Sequence, residues 1–240
     1  ASLGATFAIL LGGTGLFGSF GIIVCAFIGA LAAAALVMSL SSLGGSSSTV
    51  KIVLSGTVAN AFFLSLANFI IYISNNVQGI SNVTFWNMGS LAAASLPTLL
   101  LPAVTVVLGS LYLLSQTRIL NTLMLGEETA LTLGVNAARM RYRYMLLTAL
   151  LTAVIVSACG TFAFVGLMVP HIVRGFTGAD HRRLIPATVL GGAVFLIWAD
   201  TLSRTILSSG ELPIGIITAL TGAPFFLYIL IKRDCSFGNH

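Results

Sequence analysis

The 240-residue chain is 57% apolar and 7% charged, with a mean hydropathy of +1.04 and a net charge of +5. Soluble domains carry roughly a quarter charged residues, so a water-soluble fold is excluded. A nucleic-acid binder gathers its basic residues on one polar face, whereas here they lie between apolar runs.

In chain order, residues 1–13 ("ASLGATFAILLGG") read as the later half of a helix, so the chain is expected to be a fragment, and no secretory signal pattern opens it. Segments 19–40 and 52–73 each supply the roughly 20 apolar residues that a helix needs to cross about 30 Å of hydrocarbon. Breaker-rich connectors follow at "SSLGGSSST" (41–49), "SNNVQGISN" (74–82) and "SSGELP" (208–213). Between 75 and 95, a short amphipathic piece with Phe85, Trp86 and Met88 suits an interfacial anchor or a short helix at the outer mouth of a pathway. Further spans are predicted at 96–114, 144–161, 163–177, 187–207 and 213–231. The fold class is therefore all-α, a polytopic transmembrane bundle of about seven whole spans and a partial first one, forming a single domain over 1–240.

Residues 144–177 are strained, because about 51 Å of helix must make two crossings of about 30 Å. One helix there must be short, with Gly160 and Pro170 as candidate bends. The alternative makes "FVGLMVPHIVRGF" (164–176) re-entrant. If the carboxyl terminus is cytoplasmic, alternating crossings place Lys51, Arg118, Arg139, Arg141, Arg143, Arg174, Arg182, Arg183, Lys232 and Arg233 on the cytoplasmic side. Arg204 alone falls outside.

Catalytic chemistry is sparse. Cys25, Cys159 and Cys235 are widely spaced and odd in number, which suits apolar filler rather than a disulfide framework or a metal cluster. Asp200 is the one acid within a long apolar run, and Arg204 follows at i+4, giving a local ion pair or a base presented to an outside partner. His171 has no second ligand at helical spacing and reads as structural, while His181 and His240 carry no signal. With no phosphate-binding loop, nucleophile elbow or zinc-protease motif, the chain is not expected to be an enzyme or to hold a cofactor or metal.

The charge that is present concentrates in "GEETALTLGVNAARMRYRY" (126–144), which holds Glu127, Glu128, Arg139, Arg141 and Arg143, five of the seventeen Asp, Glu, Lys and Arg residues. Acids after Gly126 suit the first turn of a helix, Gly134 suits its stop, and Asn136 can cap a second helix entering the membrane from the cytoplasm. A loop with its own capped helix is a contact surface rather than a solvated connector.

Four stretches carry a resemblance: "LGEETALTLGVN" (125–136), "FVGLMVPHIVRGFTGADHRRLIPA" (164–187), "WADTLSRTI" (198–206) and "ELPIGIITALTGAPFFLYIL" (211–230), with "FWNMGSL" (85–91) more weakly. They resemble the FecCD-type permeases, the membrane subunits of type II ABC importers for ferric siderophores, haem and cobalamin in the bacterial plasma membrane. The resemblance implies a ten-span fold whose first spans precede Ala1. It also implies a second permease copy as dimer partner, two cytoplasmic ATP-binding subunits that hold the ATP and Mg, and an extracytoplasmic substrate-binding protein. On this chain the ATPase-coupling helices would be residues 119–140, with Gly126, Glu127, Glu128, Leu133 and Gly134 as their signature. Arg204 would meet an acid on the binding protein, Ser74, Asn75 and Asn76 would form the outer gate, and Asn60 would line the translocation path. An ATP-independent secondary transporter or channel is the competing reading, with Pro170 and Pro224 as its slight support.

Overall fold

The computed structural model of the chain describes residues 1–10, 19–42, 49–92, 94, 96–206 and 211–237. The connectors at 43–48 and 207–210, the end of the first predicted span and His240 lie outside them.

Among the described residues every regular element is an α-helix: α1 (Ser2–Leu10), α2 (Ser19–Ser42), α3 (Thr49–Ile73), α4 (Val77–Met88), α5 (Leu96–Ser115), α6 (Thr117–Leu123), α7 (Glu127–Thr132), α8 (Ala137–Cys159), α9 (Val165–Thr177), α10 (His181–Thr205) and α11 (Ile214–Phe237). The all-α polytopic expectation holds. Five of these, α2, α3, α5, α8 and α10, are long and apolar enough to cross a membrane. α11 adds a shorter apolar stretch, Ile214–Ile229.

The strained region resolves unequally. α8 starts at Ala137, as the Asn136 cap indicates and ahead of the predicted span at 144, and its 23 residues give about 35 Å. α9 has 13 residues, about 20 Å, so it is too short to cross 30 Å of hydrocarbon as a helix alone. Gly160 acts as a stop rather than a bend, closing α8 at φ 77°. Pro170 lies inside α9 without ending it. α9 opens instead on Phe164, a bulky residue held at φ 64°, whose ring lies 5.9 Å from that of Phe226.

The chain divides into two compact units. The first comprises 1–87, 94–109 and 122–160. In it α1 packs on α2 and α3, and α2 packs on α3 and α8. Small residues set these contacts: Ala5, Ala8 and Ala26 are fully buried, and a Cβ on Gly4 would collide with the backbone carbonyl of Cys25. Close backbone approach over small side chains is how membrane helices gain dispersion contacts without a hydrophobic driving force. α3 turns Ser55, Ala59 and Ala67 inward at four- and eight-residue spacing and leaves Val58, Phe62 and Phe69 outward.

The second unit comprises 88–93, 110–121 and 161–240. α9 and α11 both pack on α10 and on each other. Ala199, Ile214 and Ile217 form its core, closed over by Leu91, Phe162, Leu196, Leu202 and Leu212. This core packs against the later half of α10, and each end of that helix carries polar side chains.

Candidate coupling segment and outer arginine

The predicted helix–stop–helix at 126–144 is present in the first unit. Gly126 sits at φ 102°, ψ 162°, a region open to glycine, and the helix begins at Glu127 with both acids in its first turn. α7 then ends as the sequence indicated. Gly134 adopts φ 81°, its N–H donates to the Leu131 carbonyl at 3.0 Å, and the Val135 N–H donates to the Ala130 carbonyl at 2.8 Å. This pair of bonds satisfies carbonyls that the last turn of a helix otherwise leaves open. Two residues on, the Asn136 side chain accepts the Arg139 N–H at 3.0 Å and caps α8.

Between its two caps, α7 is anchored by Ala130, which is fully buried, while Leu131 and Leu133 are 65% and 61% exposed. Met124 and Leu125, just before Gly126, are exposed as well. Glu127 reaches Arg141 at 3.7 Å, a distance and exposure at which an ion pair adds little. The pair borders a cavity of about 400 Å³ that Leu123, Ala137 and Met145 help to line. Gly126, Glu127, Glu128, Leu133 and Gly134 are thus gathered in one short, exposed, rigidly turned element.

The residues expected at the outer gate and along the path are placed differently. Ser74 Oγ accepts the Asn76 N–H at 3.3 Å, and Asn76 Oδ1 accepts the Gly79 N–H at 2.9 Å, so both build the start of α4. Asn75 beside them is exposed. Asn60 is exposed on α3 and stands about 21 Å along that helix from Ser74, so the structure does not bring it to the turn.

In the second unit, the Asp200–Arg204 pair predicted from its i, i+4 spacing is present at 2.9 Å through Nε. A second acid, Glu211, approaches Arg204 Nη1 at 3.5 Å. The arginine is 44% exposed. His171, read as structural, stands edge-on to Phe225 at 6.3 Å.

One cluster was not anticipated. Asn121 Nδ2 donates to Asp180 Oδ1 at 2.8 Å, while its Oδ1 accepts the His181 backbone N–H at 3.0 Å. Asp180 also accepts the Arg182 N–H at 3.0 Å and so caps α10. Hydrogen bonds from Asn121 first, and from the Arg182 backbone second, hold the Asp180 carboxyl below its ordinary range. The Asp before a helical run in "GADHRR" was a readable cap signal, whereas nothing in the sequence marks Asn121.

A family model described as the FecCD transport family matches residues 1–232. The chain belongs to the FecCD transport family. Among its relatives, the hemin transport system permease protein HmuU of Yersinia pestis is 39% identical over 210 residues, covering 88% of this chain and 62% of the relative. The cobalamin import system permease protein BtuC of Halobacterium salinarum is 38% identical over 234 residues, covering 98% and 62%. The Fe(3+) dicitrate transport system permease protein FecD of Escherichia coli is 37% identical over 182 residues, covering 76% and 57%. The chain thus spans about three fifths of the length of these FecCD-family relatives. A solved structure described as a metal-chelate type ABC transporter in an inward-facing conformation superposes with a TM-score of 0.85 at 34% identity, over 96% of this chain and 72% of that one. Membership in the FecCD family, together with the apolar helices, makes this an integral membrane protein of the permease type.

Proposed function

We propose that this chain is the membrane-spanning part of an ATP-driven importer for a metal chelate, a ferric siderophore, haem or cobalamin. The observation that carries the reading is α7. A six-residue helix, turned by Gly126 and Gly134, holds Glu127 and Glu128 beside the exposed Leu131 and Leu133. Apolar side chains clustered with acids on a short rigid helix suit insertion into a groove of a soluble partner. Two cytoplasmic ATP-binding subunits are that partner, and they supply the ATP and Mg that this chain does not bind. Hydrolysis there moves the permease through residues 119–140, in which Leu133 and the Glu127–Glu128 pair form the contact and the two glycines shape it.

The same reading places the carboxyl terminus, Lys51 and the Arg139, Arg141 and Arg143 group in the cytoplasm, and Arg204 outside, where a substrate-binding protein docks. A second permease copy completes the translocation path, to which the exposed Asn60 and the Ser74–Asn76 turn contribute. The ten-span count of the whole permease belongs to this proposal, as does a full crossing by 163–177. The carriers named among the relatives favour a metal-chelate cargo, and haem, ferric citrate and cobalamin are its natural first trials.

The test is uptake into vesicles by the whole permease assembled with its ATP-binding subunits and binding protein, with a labelled ferric chelate, haemin and cobalamin each tried as cargo. ATP-dependent uptake of one of them is expected. Reversing charge with Glu127→Lys and Glu128→Lys should leave membrane insertion intact and cut uptake per ATP hydrolysed at least about tenfold, as loss of a site-to-site coupling of about 1.4 kcal/mol would. Uptake that continues without ATP and follows an ion gradient would overturn the importer reading in favour of a secondary transporter.

A further inference from the structure

Asn121 and the Asp180–His181 pair lie some sixty residues apart and meet through both ends of one amide. Asn121 Nδ2 donates to the Asp180 carboxylate, and its Oδ1 receives two donors from His181, the backbone N–H at 3.0 Å and the ring Nδ1 at 2.6 Å. An amide oxygen only accepts, so the ring proton resides on Nδ1 here. Asp180 caps α10 by accepting from Arg182 and leaves the N–H of His181 to Asn121. The first turn of α10 is therefore capped twice, once by its own chain and once by a side chain of α6.

The two elements so joined matter for transport. After Asn121 the chain runs through Thr122 to Gly126 and α7. α10 runs without a break from His181 to Thr205, about 37 Å, and its last turn carries Arg204. One helix thus begins at an amide of the coupling segment and ends at the outer arginine. A helix that needed only a cap already has one in Asp180, whereas the second cap adds a mechanical tie to α6.

We propose that Asn121 is a positioning residue of the transport cycle: with Asp180 and His181 it fastens the coupling segment to α10, so that the ATPase inside and the binding protein on Arg204 outside act on the same helix. The inference rests on the importer reading. Displacement of the coupling segment is passed to the start of α10 by the three hydrogen bonds of one side chain. Engagement of Arg204 biases the same bonds from the other end, and linkage requires the two effects to be reciprocal.

The test uses the complete transporter in vesicles and follows phosphate release from ATP with and without the binding protein, alongside the melting temperature of the purified complex. Asn121→Asp sets a carboxylate against Asp180. It should lower the stimulation by binding protein at least about fivefold, the low end of typical couplings between sites. Adding Asp180→Asn sets an amide opposite the carboxylate again, so the bond between positions 121 and 180 and the two from His181 can re-form, although the oxygen that Arg182 shares with Asn121 is given up, and stimulation should return. A merely structural cap predicts a lower melting temperature with an unchanged ratio of stimulated to unstimulated rate, and that result overturns the inference. So does a double variant that assembles yet stays unstimulated, which also covers the case in which the single variant does not assemble. A wild-type transporter whose ATPase ignores the binding protein overturns the importer reading itself and the inference with it, while a stimulated wild type with an equally stimulated Asn121→Asp variant overturns the inference alone.

Discussion

Gly134→Ala isolates the turn that shapes the proposed coupling segment. At φ 81° an L-residue with a Cβ pays about 1–2 kcal/mol that glycine does not. No heavy atom lies within 4 Å of the position a Cβ would take, so no collision adds to that figure. Escaping the strain by leaving the left-handed region would open the Gly134–Leu131 and Val135–Ala130 bonds, each contributing roughly 0.5–1.5 kcal/mol, so the strained turn and the opened turn are close in energy. Alanine also restricts the unfolded chain, which returns about 0.4–1 kcal/mol to global stability. The net global loss is therefore between about 0 and 1.6 kcal/mol, while the local turn opens roughly five- to thirtyfold more often. Amide hydrogen exchange of the permease in detergent reads this directly. Protection at Val135 should fall by that factor in Gly134→Ala and recover in Gly134→Asn, because asparagine tolerates the left-handed region. Equal protection in wild type and Gly134→Ala, or weaker protection in Gly134→Asn than in Gly134→Ala, would refute the reasoning from backbone strain.

Two further outcomes follow from the packing and the caps. Gly4→Val should destabilise the α1–α2 contact by about 1–3 kcal/mol, because its Cβ meets the Cys25 carbonyl, whereas Gly56→Ala on α3, with open space at its Cβ, should be neutral or stabilising by up to about 1 kcal/mol; thermal unfolding in detergent separates the two. Asp180 is held below its unfolded pKa, so what it adds to stability is complete above about pH 4 and is lost as the pH falls through its depressed folded value. Removing it with Asp180→Ala should lower the melting temperature at neutral pH, and by progressively less as the pH falls below about 4.

Which parts of this molecule were legible beforehand depends on how local their physics is. The stop at Gly134 and the cap at Asn136 are decided within a few residues, by one residue's tolerance of positive φ and one side chain's reach to the N–H three places on, so the sequence alone located them. The Asp200–Arg204 pair was legible for the same reason, being one turn apart on one helix. The span predicted at 187 begins later than its helix, α10, because an apolar-run criterion ignores polar first turns: "HRR" is helical although it is not hydrophobic. The shortness of α9 was anticipated from length arithmetic, but its opening at Phe164 was not, since nothing local favours a left-handed phenylalanine. Asn121 was invisible altogether. Its role depends on two partners some sixty residues away, and an asparagine among apolar residues has no pattern to betray it.

Arg204 is satisfied before anything arrives. Asp200 and Glu211 occupy two edges of its guanidinium and leave the three side chains together with one surplus negative charge. An incoming carboxylate on this site therefore exchanges partners rather than filling a vacancy, and it does so against a faintly repulsive background. Such a contact discriminates by geometry more than by attraction, holds only while neighbouring contacts hold, and releases cheaply because the departing carboxylate is replaced at once by one already in place. In the importer proposed above, a binding protein that must leave after each load is well served by an arginine already paired with Asp200 and Glu211.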